Sequence, residues 1–317
     1  MRILVAGATG AIGRALLPRL VNAGHSVVGT TRTANKTAHI RQVGAEAFVV
    51  DGLDREAVGQ AVRSASPDVI VHEMTDLKGA SDLRYFDRAF AVSNRLRTKG
   101  TDHLLAAARD AGVGRFIAQS FCGWPFARTG GNIKNEDDPL DPDPPQQLRR
   151  TLDAIRYLES TVTQASDVGG IVLRYGAFYG PGTGVFDGPL VEQIIRRRAP
   201  LIGSGDGWWS FVHIEDAAAA TVLAIDKGSP GNIYNVVDDD PAPVRKWLPA
   251  LAAMLGAKPP WRIPAWLARI VAGEHLVTMM TQARAASNAK AKRDLDWHPA
   301  HPSWREGFAE IVRLRGV

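Results

Sequence analysis

Short apolar runs alternate with longer segments of helical spacing along the first half of the chain. Polar residues, glycine or proline bound each run, which is typical of strands. The runs predict strands at RILVAG (2–7), SVVGTT (26–31), AFVVD (47–51), DVIVHE (68–73), RFIAQS (115–120) and GIVLRY (170–175). Between them, RALLPRLVNAG, REAVGQAVRSA and GTDHLLAAARDAG repeat apolar residues at helical spacing. The alternation predicts an α/β fold whose parallel strands are joined by crossover helices.

The pattern becomes less regular after residue 180. PLVEQIIRRR predicts a helix, SFVHIEDAAAATVLAI a strand that leads into a helix, and GNIYNVV a further strand. The tail, 243–317, is helical in pattern and rich in tryptophan and proline. We therefore predict that residues 1–180 with about 208–237 form one domain, and that about 181–207 with 238–317 form a smaller, discontinuous substrate-binding domain.

A glycine-rich turn separates the first strand from the first helix. LVAGATGAIGRAL places Gly7, Gly10 and Gly13 at the spacing of a dinucleotide-binding turn. The first glycine permits the turn, the second lets a diphosphate approach the backbone, and the third allows the helix to pack closely. The sequence therefore predicts a Rossmann-type doubly wound sheet, and we expect Thr9, Ala11 and Ile12 of the same turn to help bind the cofactor.

The end of the second strand bears on the choice of cofactor. An NAD site usually has a carboxylate here for the ribose hydroxyls, whereas an NADP site has an arginine for the extra phosphate. VVGTTRTANK provides Thr31 and Arg32, and no Asp or Glu lies between Gly24 and Ala45. NADP(H) is therefore favoured over NAD.

Composition excludes several classes of protein. The 317 residues are 45% hydrophobic and 22% charged, as in ordinary globular domains. The net charge of +5 arises from scattered cations rather than one basic face, so we expect no nucleic-acid partner. No apolar run is long enough to span a bilayer, and we expect no membrane partner. A single cysteine, Cys122, leaves no internal disulfide and favours the cytoplasm.

With these motifs in place, the chain resembles the extended short-chain dehydrogenase/reductase family, which includes nucleotide-sugar epimerases and dehydratases. Besides GATGAIG, the resemblance rests on VVDGLDREAV, VIVHEMT, LRYGAFYGPG and FVHIEDAAAA. It implies that Asp51, Gly52 and Leu53 lie near the adenine, and that Met74 and Tyr179 lie near the rest of the cofactor. It also implies a possible homodimer through helices at about 92–110 and 146–166.

The chain departs from the family at the proton donor, which is normally a tyrosine followed four residues later by a lysine. If Glu159 is the glutamate that usually follows that lysine, the two positions hold Thr151 and Ile155 in PPQQLRRTLDAIRYLE. No tyrosine in the chain has a lysine four residues later. The apolar spacing of this segment predicts an ordinary core helix.

Other residues are therefore candidates for the missing role. Ser120 lies one position before the family's catalytic hydroxyl, which is replaced here by Phe121. Glu73 takes the place of an apolar residue at the end of the fourth strand and could act as a base. Lys134 lies on a loop that the family folds near the active site. The cysteine and histidine spacing indicates no metal site.

Tryptophans mark a candidate substrate pocket. Trp208 and Trp209 lie where related enzymes often place a diphosphate-binding arginine, and Trp124 follows Ser120 closely. With Phe121, these residues favour a neutral, ring-containing small-molecule substrate. Three functions stay open: an NADP-dependent oxidoreductase with an unusual proton donor, a non-redox lyase or isomerase that retains the nucleotide, and a sensor that binds NADPH without turnover.

Overall fold

A computed structural model describes residues 1–76, 83–184 and 188–314 of the chain. Its strands are β1 Arg2–Ala6, β2 Ser26–Thr31, β3 Glu46–Val49, β4 Val69–His72, β5 Arg115–Phe121, β6 Ile133–Lys134, β7 Gly170–Tyr175, β8 Ala177–Tyr179, β9 Leu201–Ile202, β10 Trp208–Trp209, β11 Phe211–His213, β12 Ile233–Val236, β13 Ala242–Pro243, β14 Arg262–Ile263 and β15 Ala285–Ala286. Its helices are α1 Ala11–Asn22, α2 Thr37–Gln42, α3 Arg55–Ala65, α4 Phe86–Ala89, α5 Ala91–Arg95, α6 Thr101–Asp110, α7 Arg149–Thr163, α8 Pro189–Ile195, α9 Ile214–Lys227, α10 Val244–Met254, α11 Ala265–Ala272, α12 Glu274–Thr281, α13 Ala289–Leu295 and α14 Trp304–Leu314.

Seven parallel strands form the central sheet, in the order β12-β7-β5-β4-β1-β2-β3. The six strands predicted in the first half are all present, and the predicted α/β doubly wound fold is confirmed. Strand order reverses between β1 and β4, and in such sheets a ligand binds at the carboxyl ends of the strands beside this point. The topology therefore places a binding cleft next to the glycine turn.

Alternating side chains of each strand pack on opposite faces of the sheet. Ile3 and Val5 of β1 pack with residues of α1, α2, α9 and α13, whereas Leu4 and Ala6 pack with residues of α3, α6 and α7. This follows from the two-residue side-chain repeat of a strand. Both faces of the sheet are buried, which explains why the strands are apolar at nearly every position.

The second half of the chain builds a smaller unit on short paired strands. β9 pairs with β14, β10 with β13 and β8 with β11, and a separate apolar core lies beneath α8, α10, α11, α12 and α14. One segment assigned to the smaller domain, α13 with Trp297, packs instead with α9 and β12 of the sheet. Conversely, Tyr179 and Phe211, which were assigned to the first domain, pack in the separate apolar core. The division into two domains stays a prediction. No helix within the described ranges is long and apolar enough to cross a membrane.

Candidate functional site

A cleft of about 480 Å³ opens at the predicted point, above the glycine turn. Gly7 has a φ of +94°, and a Cβ there would lie 2.6 Å from the carbonyl oxygen of Glu73. A Cβ on Gly13 would lie 2.6 Å from the backbone of Ala8. Only glycine therefore fits either position without moving the backbone, and the turn brings β1, β4 and α1 close together. Gly10 precedes α1 and lines the cleft, so the helix N-terminus is available to a phosphate.

Eight of the predicted cofactor-binding residues line this cleft. They are Gly7, Thr9, Gly10, Ala11, Thr31, Arg32, Gly52 and Met74. Thr9 and Thr31 share a hydrogen bond between their hydroxyl oxygens at 3.2 Å, which joins the glycine turn to the end of β2. The Arg32 guanidinium also lies at this end, 2.8 Å from the carboxylate of Asp76. The cleft thus combines backbone amides at one end with an arginine and small hydroxyl groups at the other.

The remaining predicted cofactor-binding residues do not line the cleft. Ile12 is buried in the core beneath the turn, and Gly13 acts through packing. Asp51 accepts a hydrogen bond from the Leu53 amide at 3.0 Å and shapes the loop after β3. Tyr179 is fully buried in the apolar core beneath α8, α10, α11, α12 and α14, and its hydroxyl has no partner among the described residues. The last residue of its motif, Gly182, lines the cleft instead, as does Gly184 two positions later.

Glu73 lines the cleft, yet its carboxyl group is buried. Oε1 accepts a hydrogen bond from the Tyr175 hydroxyl at 3.3 Å, and Oε2 has no partner within the described chain. Burial raises the pKa of Glu73 to about 8, and the hydrogen bond from Tyr175 only partly opposes this. At neutral pH the carboxyl is therefore mainly protonated, which avoids a negative charge beside the site expected for a diphosphate.

Ser120 has a structural partner that its sequence position did not reveal. Its hydroxyl donates to Glu159 Oε1 at 2.7 Å, and Arg174 donates to both oxygens of the same carboxylate at 2.8 and 2.7 Å. All three side chains are buried and none lines the cleft. The structure therefore assigns Ser120 to a buried ion-pair network and gives no support to a catalytic role.

Lys134 is likewise committed elsewhere. Its ammonium group donates to the carbonyl of Thr129 at 2.8 Å and pairs with Asp138 at 3.2 Å. The side chain is buried and holds the polar loop that follows β5, and the residue is absent from the lining of the cleft. Lys134 is therefore a loop-anchoring residue in this structure, contrary to the catalytic prediction.

Three of the four predicted pocket residues meet in one aromatic cluster. Phe121, Trp124 and Trp209 pack with Phe86 and Phe90 near the start of α7. Trp208 is outside this cluster, since β10 turns successive side chains to opposite sides. The cluster lies between the sheet and the smaller domain, because Trp209 and α12 belong to the second half of the chain.

His275, which the sequence analysis did not single out, belongs to this cluster. Its ring stacks on Phe86 with centroids 3.8 Å apart and meets Trp124 edge-on at 5.8 Å. Nδ1 is buried without a hydrogen-bond partner in the described structure, and burial lowers the pKa of His275 to about 3. At neutral pH this buried imidazole is therefore uncharged. This arrangement was not predictable from the sequence, in which His275 is a lone histidine on an apolar helix.

Thr151 and Ile155 stand at the expected tyrosine and lysine positions if Glu159 is the family's glutamate, and both have structural contacts. Thr151 donates its hydroxyl to Asp87 at 2.6 Å and accepts from Asn94 at 2.9 Å, which ties α7 to α4 and α5. Ile155 is buried in the aromatic cluster. These two positions of α7 therefore hold neither a tyrosine nor a lysine, and burial of Leu152, Ile155, Leu158 and Val162 confirms the predicted core helix.

One group of potential metal ligands occurs in the described residues: His213, Asp216 and His301. The Asp216 carboxylate already accepts from two backbone amides and from His301 Nδ1 at 2.9 Å. The two imidazoles stack with centroids 3.8 Å apart, so their in-plane lone pairs do not converge on one ion. The group instead fixes the N-terminus of α9 against the segment before α14.

The topology and the glycine-lined cleft define a dinucleotide-binding enzyme fold. Residues 3–236 match the NAD dependent epimerase/dehydratase family, and the chain belongs to that family. The prediction of a nicotinamide dinucleotide cofactor is thereby confirmed, while the preference for NADP stays a prediction.

Similarity to individual proteins agrees with this family. The chain is 43% identical to a 3-diazoavenalumate denitrifying reductase from a Streptomyces species, over 97% of this chain and 99% of that one. It is 28% identical to a farnesyl-dihydroquinoline-oxide ketoreductase from Stigmatella aurantiaca, over 90% and 84%. The UDP-glucose 4-epimerase structure from Thermotoga maritima superposes with a TM-score of 0.80 at 21% identity, over 100% and 99%, and shows the fold. The chain is thus an NAD(P)-dependent enzyme of the oxidoreductase type.

The raised pKa of Glu73 predicts a pH-dependent affinity for the cofactor. We expect the dissociation constant of NADPH to rise as the pH passes about 8, because ionised Glu73 would repel the diphosphate. Glu73→Gln should abolish this dependence, as measured by NADPH fluorescence titration from about pH 6 to about pH 9. An unchanged pH profile in the variant would refute the assignment.

Asp238 provides the matched control. Burial also raises its pKa to about 8, but it does not line the cleft. For both groups the folded pKa exceeds the unfolded value, so their contribution to stability is complete below the unfolded pKa and is lost as pH rises through about 8. Glu73→Gln and Asp238→Asn should each reduce this loss in urea unfolding, whereas only Glu73→Gln should alter the pH profile of NADPH binding.

Proposed function

We propose that this protein is an NADPH-dependent reductase that replaces a diazo group, in its diazonium form, by hydrogen on a small ring-containing carboxylic acid. The observation that carries the proposal is the occupation of the usual proton-donor positions by Thr151 and Ile155, both committed to packing. The 43% identical relative, whose name denotes a denitrifying reductase of a diazo acid, supports this substrate class.

The chemistry explains why no acid is needed. A reduced nicotinamide, when bound, supplies a hydride. Reduction of a ketone also requires a proton for the alkoxide, which in the family comes from the tyrosine. In denitrification, a C–H bond forms with the electron pair of the hydride, the C–N bond breaks, and N₂ leaves with the electrons of that bond. No proton is consumed, so the chain needs to position the substrate rather than protonate it.

The contacts of the described tyrosines agree with a reaction in which the protein supplies no proton. Burial raises the pKa of Tyr175 well above its ordinary value and also raises that of Tyr179. Tyr157 is exposed, and its hydroxyl donates to Asp102 at 2.7 Å. None of these three has a lysine four residues later, the arrangement that makes a phenol a good acid. The partly exposed rings of the aromatic cluster, Phe90, Phe121 and Trp209, would instead hold the ring of the substrate.

Transfer of deuterium tests the proposal. The protein would be incubated with NADPH carrying deuterium at the transferable position and with carboxybenzenediazonium as the probe. We expect enzyme-dependent release of N₂ and one deuterium on the carbon that carried nitrogen, measured by mass spectrometry against a reaction without protein. Labelled alcohol from a matched aryl ketone acid, with no denitrification, would instead establish a ketoreductase. Absence of label in both, despite NADPH binding, would favour the non-redox enzyme or the sensor.

The preference for NADPH over NADH can be tested at Arg32. Arg32→Met should weaken NADPH binding at least about tenfold and NADH binding less than about threefold, because only NADPH has the extra phosphate. Arg41→Met removes the same charge as a control, because Arg41 is an exposed residue of α2 that does not line the cleft. Dissociation constants for both cofactors would be measured by calorimetry. Equal losses for NADH and NADPH in Arg32→Met would show that Arg32 does not recognise that phosphate.

A further inference from the structure

Helix α11 carries an apolar stripe that the rest of the described chain leaves uncovered. Trp266 and Ile270, one turn apart, are 63% and 74% exposed, and Leu267 and Val271 extend the stripe beside them. The opposite side of the helix is anchored, since Ala268 is buried in the core of the smaller domain. The stripe is therefore an outward-facing surface of a packed helix, and a contiguous exposed apolar area of this kind usually marks an interaction site.

A further exposed tryptophan precedes the same helix. Trp261 is 48% exposed, and its indole Nε1 donates to the carbonyl of Arg197 at 3.1 Å. The pairing of β9 with β14 holds the two segments side by side. The segments 192–202 and 256–274 therefore form one surface, which we call the α11 surface.

The α11 surface is strongly basic. Its two segments contain six lysines and arginines and two glutamates. Both glutamates are already paired, Glu192 with Arg196 at 2.6 Å and Glu274 with Arg269 at 2.6 Å. The other four cations, Arg197, Arg198, Lys258 and Arg262, are exposed and have no ion pair among the described residues. Uncompensated positive charge thus borders the apolar stripe.

We propose that the α11 surface docks the protein on an anionic lipid bilayer. Trp266 and Ile270 would enter the boundary between headgroups and acyl chains, where indole rings are favoured. The neighbouring cations would lie against lipid phosphates, with a contribution of about 1 kcal/mol for each cation near the surface. The eight residues of α11 are too few to span a bilayer, so the protein would lie on its surface. This inference does not depend on the proposed reaction, and it replaces the expectation of no membrane partner, which rested only on the lack of an apolar run long enough to span a bilayer.

The charge pattern favours a bilayer over a second copy of the chain. In a two-fold symmetric dimer, the same patch faces itself across the axis. The four unpaired cations would then approach their own counterparts while the apolar stripes met, and like charges across an interface are unfavourable. An anionic lipid surface would cover the apolar stripe and pair with the cations at the same time.

Sedimentation with vesicles tests the docking. Full-length protein would be mixed with vesicles of phosphatidylcholine containing about one third phosphatidylglycerol, or of phosphatidylcholine alone. We expect binding to the anionic vesicles, weakened by added salt, and little binding to the neutral ones. Trp266→Ser combined with Ile270→Ser should lower the partition coefficient at least about tenfold. Blue-shifted tryptophan emission on binding, lost in the same variant, would locate the contact.

Val49→Ser is the matched control, because Val49 is exposed on β3 at the far edge of the sheet. It should bind vesicles like the parent protein, and circular dichroism would confirm that all variants are folded. Absence of binding to anionic vesicles would overturn the proposal. Equal binding of the parent and the α11 variant would also overturn it, as would a dimer that dissociates on Trp266→Ser and Ile270→Ser substitution.

Discussion

Replacement of Glu159 by leucine is expected to lower the free energy of unfolding by about 3–5 kcal/mol, the range found when a buried ion pair loses one partner. The Arg174 guanidinium, which donates to both oxygens of Glu159, would remain buried without its counter-ion. Ser120 would also lose its acceptor. Urea unfolding followed by circular dichroism measures the change.

Two further variants test whether the loss of stability comes from the unpaired charge of Arg174. Glu159→Leu combined with Arg174→Met removes both charges and should recover most of the lost stability, since a packed apolar pair can replace a buried ion pair. Asp167→Asn breaks the exposed pair with Arg109 and should change stability little, because solvent already screens it. If the double variant were no more stable than Glu159→Leu, the loss would reflect packing rather than an uncompensated charge.

Gly7→Ala is expected to abolish useful cofactor binding, with a rise of roughly 100-fold or more in the dissociation constant of NADPH. The added Cβ would lie 2.6 Å from the carbonyl oxygen of Glu73, and the φ of +94° disfavours any side chain. The backbone would have to move where the diphosphate approaches it. Fluorescence titration with NADPH measures the loss, and thermal unfolding measures the accompanying loss of stability.

Gly24→Ala separates the two causes of this effect. Gly24 has a similar φ of +82°, but a Cβ there would meet nothing within 4 Å. It should therefore cost only about 1 kcal/mol of stability and leave NADPH affinity unchanged. If Gly7→Ala bound NADPH as well as Gly24→Ala does, the glycine turn would not be the phosphate site.

The strands and the glycine turn were predictable because their signals are local. Apolar runs such as those around Ile3 and Val71 record burial on both faces of a sheet, and burial is a property of each strand. The roles of Gly7 and Gly13 could be predicted because the strand before them and the helix after them are recognisable in the sequence. The absence of a Tyr–Lys pair was likewise a matter of spacing on one helix, and the packing of Ile155 agrees with it.

The direction of single polar side chains was not predictable in this way. Ser120 finds Glu159 thirty-nine positions later, and Lys134 bonds within its own loop instead of entering the cleft. His275 acquires its role only where α12 meets Phe86 and Trp124. The contacts of each side chain depend on which other segment supplies a hydrogen-bond partner or a ring. The periodicity of the sequence carries no information about such contacts.

The sequence by itself determined the doubly wound sheet, the dinucleotide turn and the absence of any tyrosine followed four residues later by a lysine, because spacing along one strand, turn or helix encodes each of them. The tertiary structure alone decided that Glu73 is buried beside the cleft with a raised pKa, that Ser120 belongs to an ion-pair network, and that α11 presents its apolar stripe outward. These features depend on contacts between segments far apart in the chain, and their energies exist only once those segments have packed together.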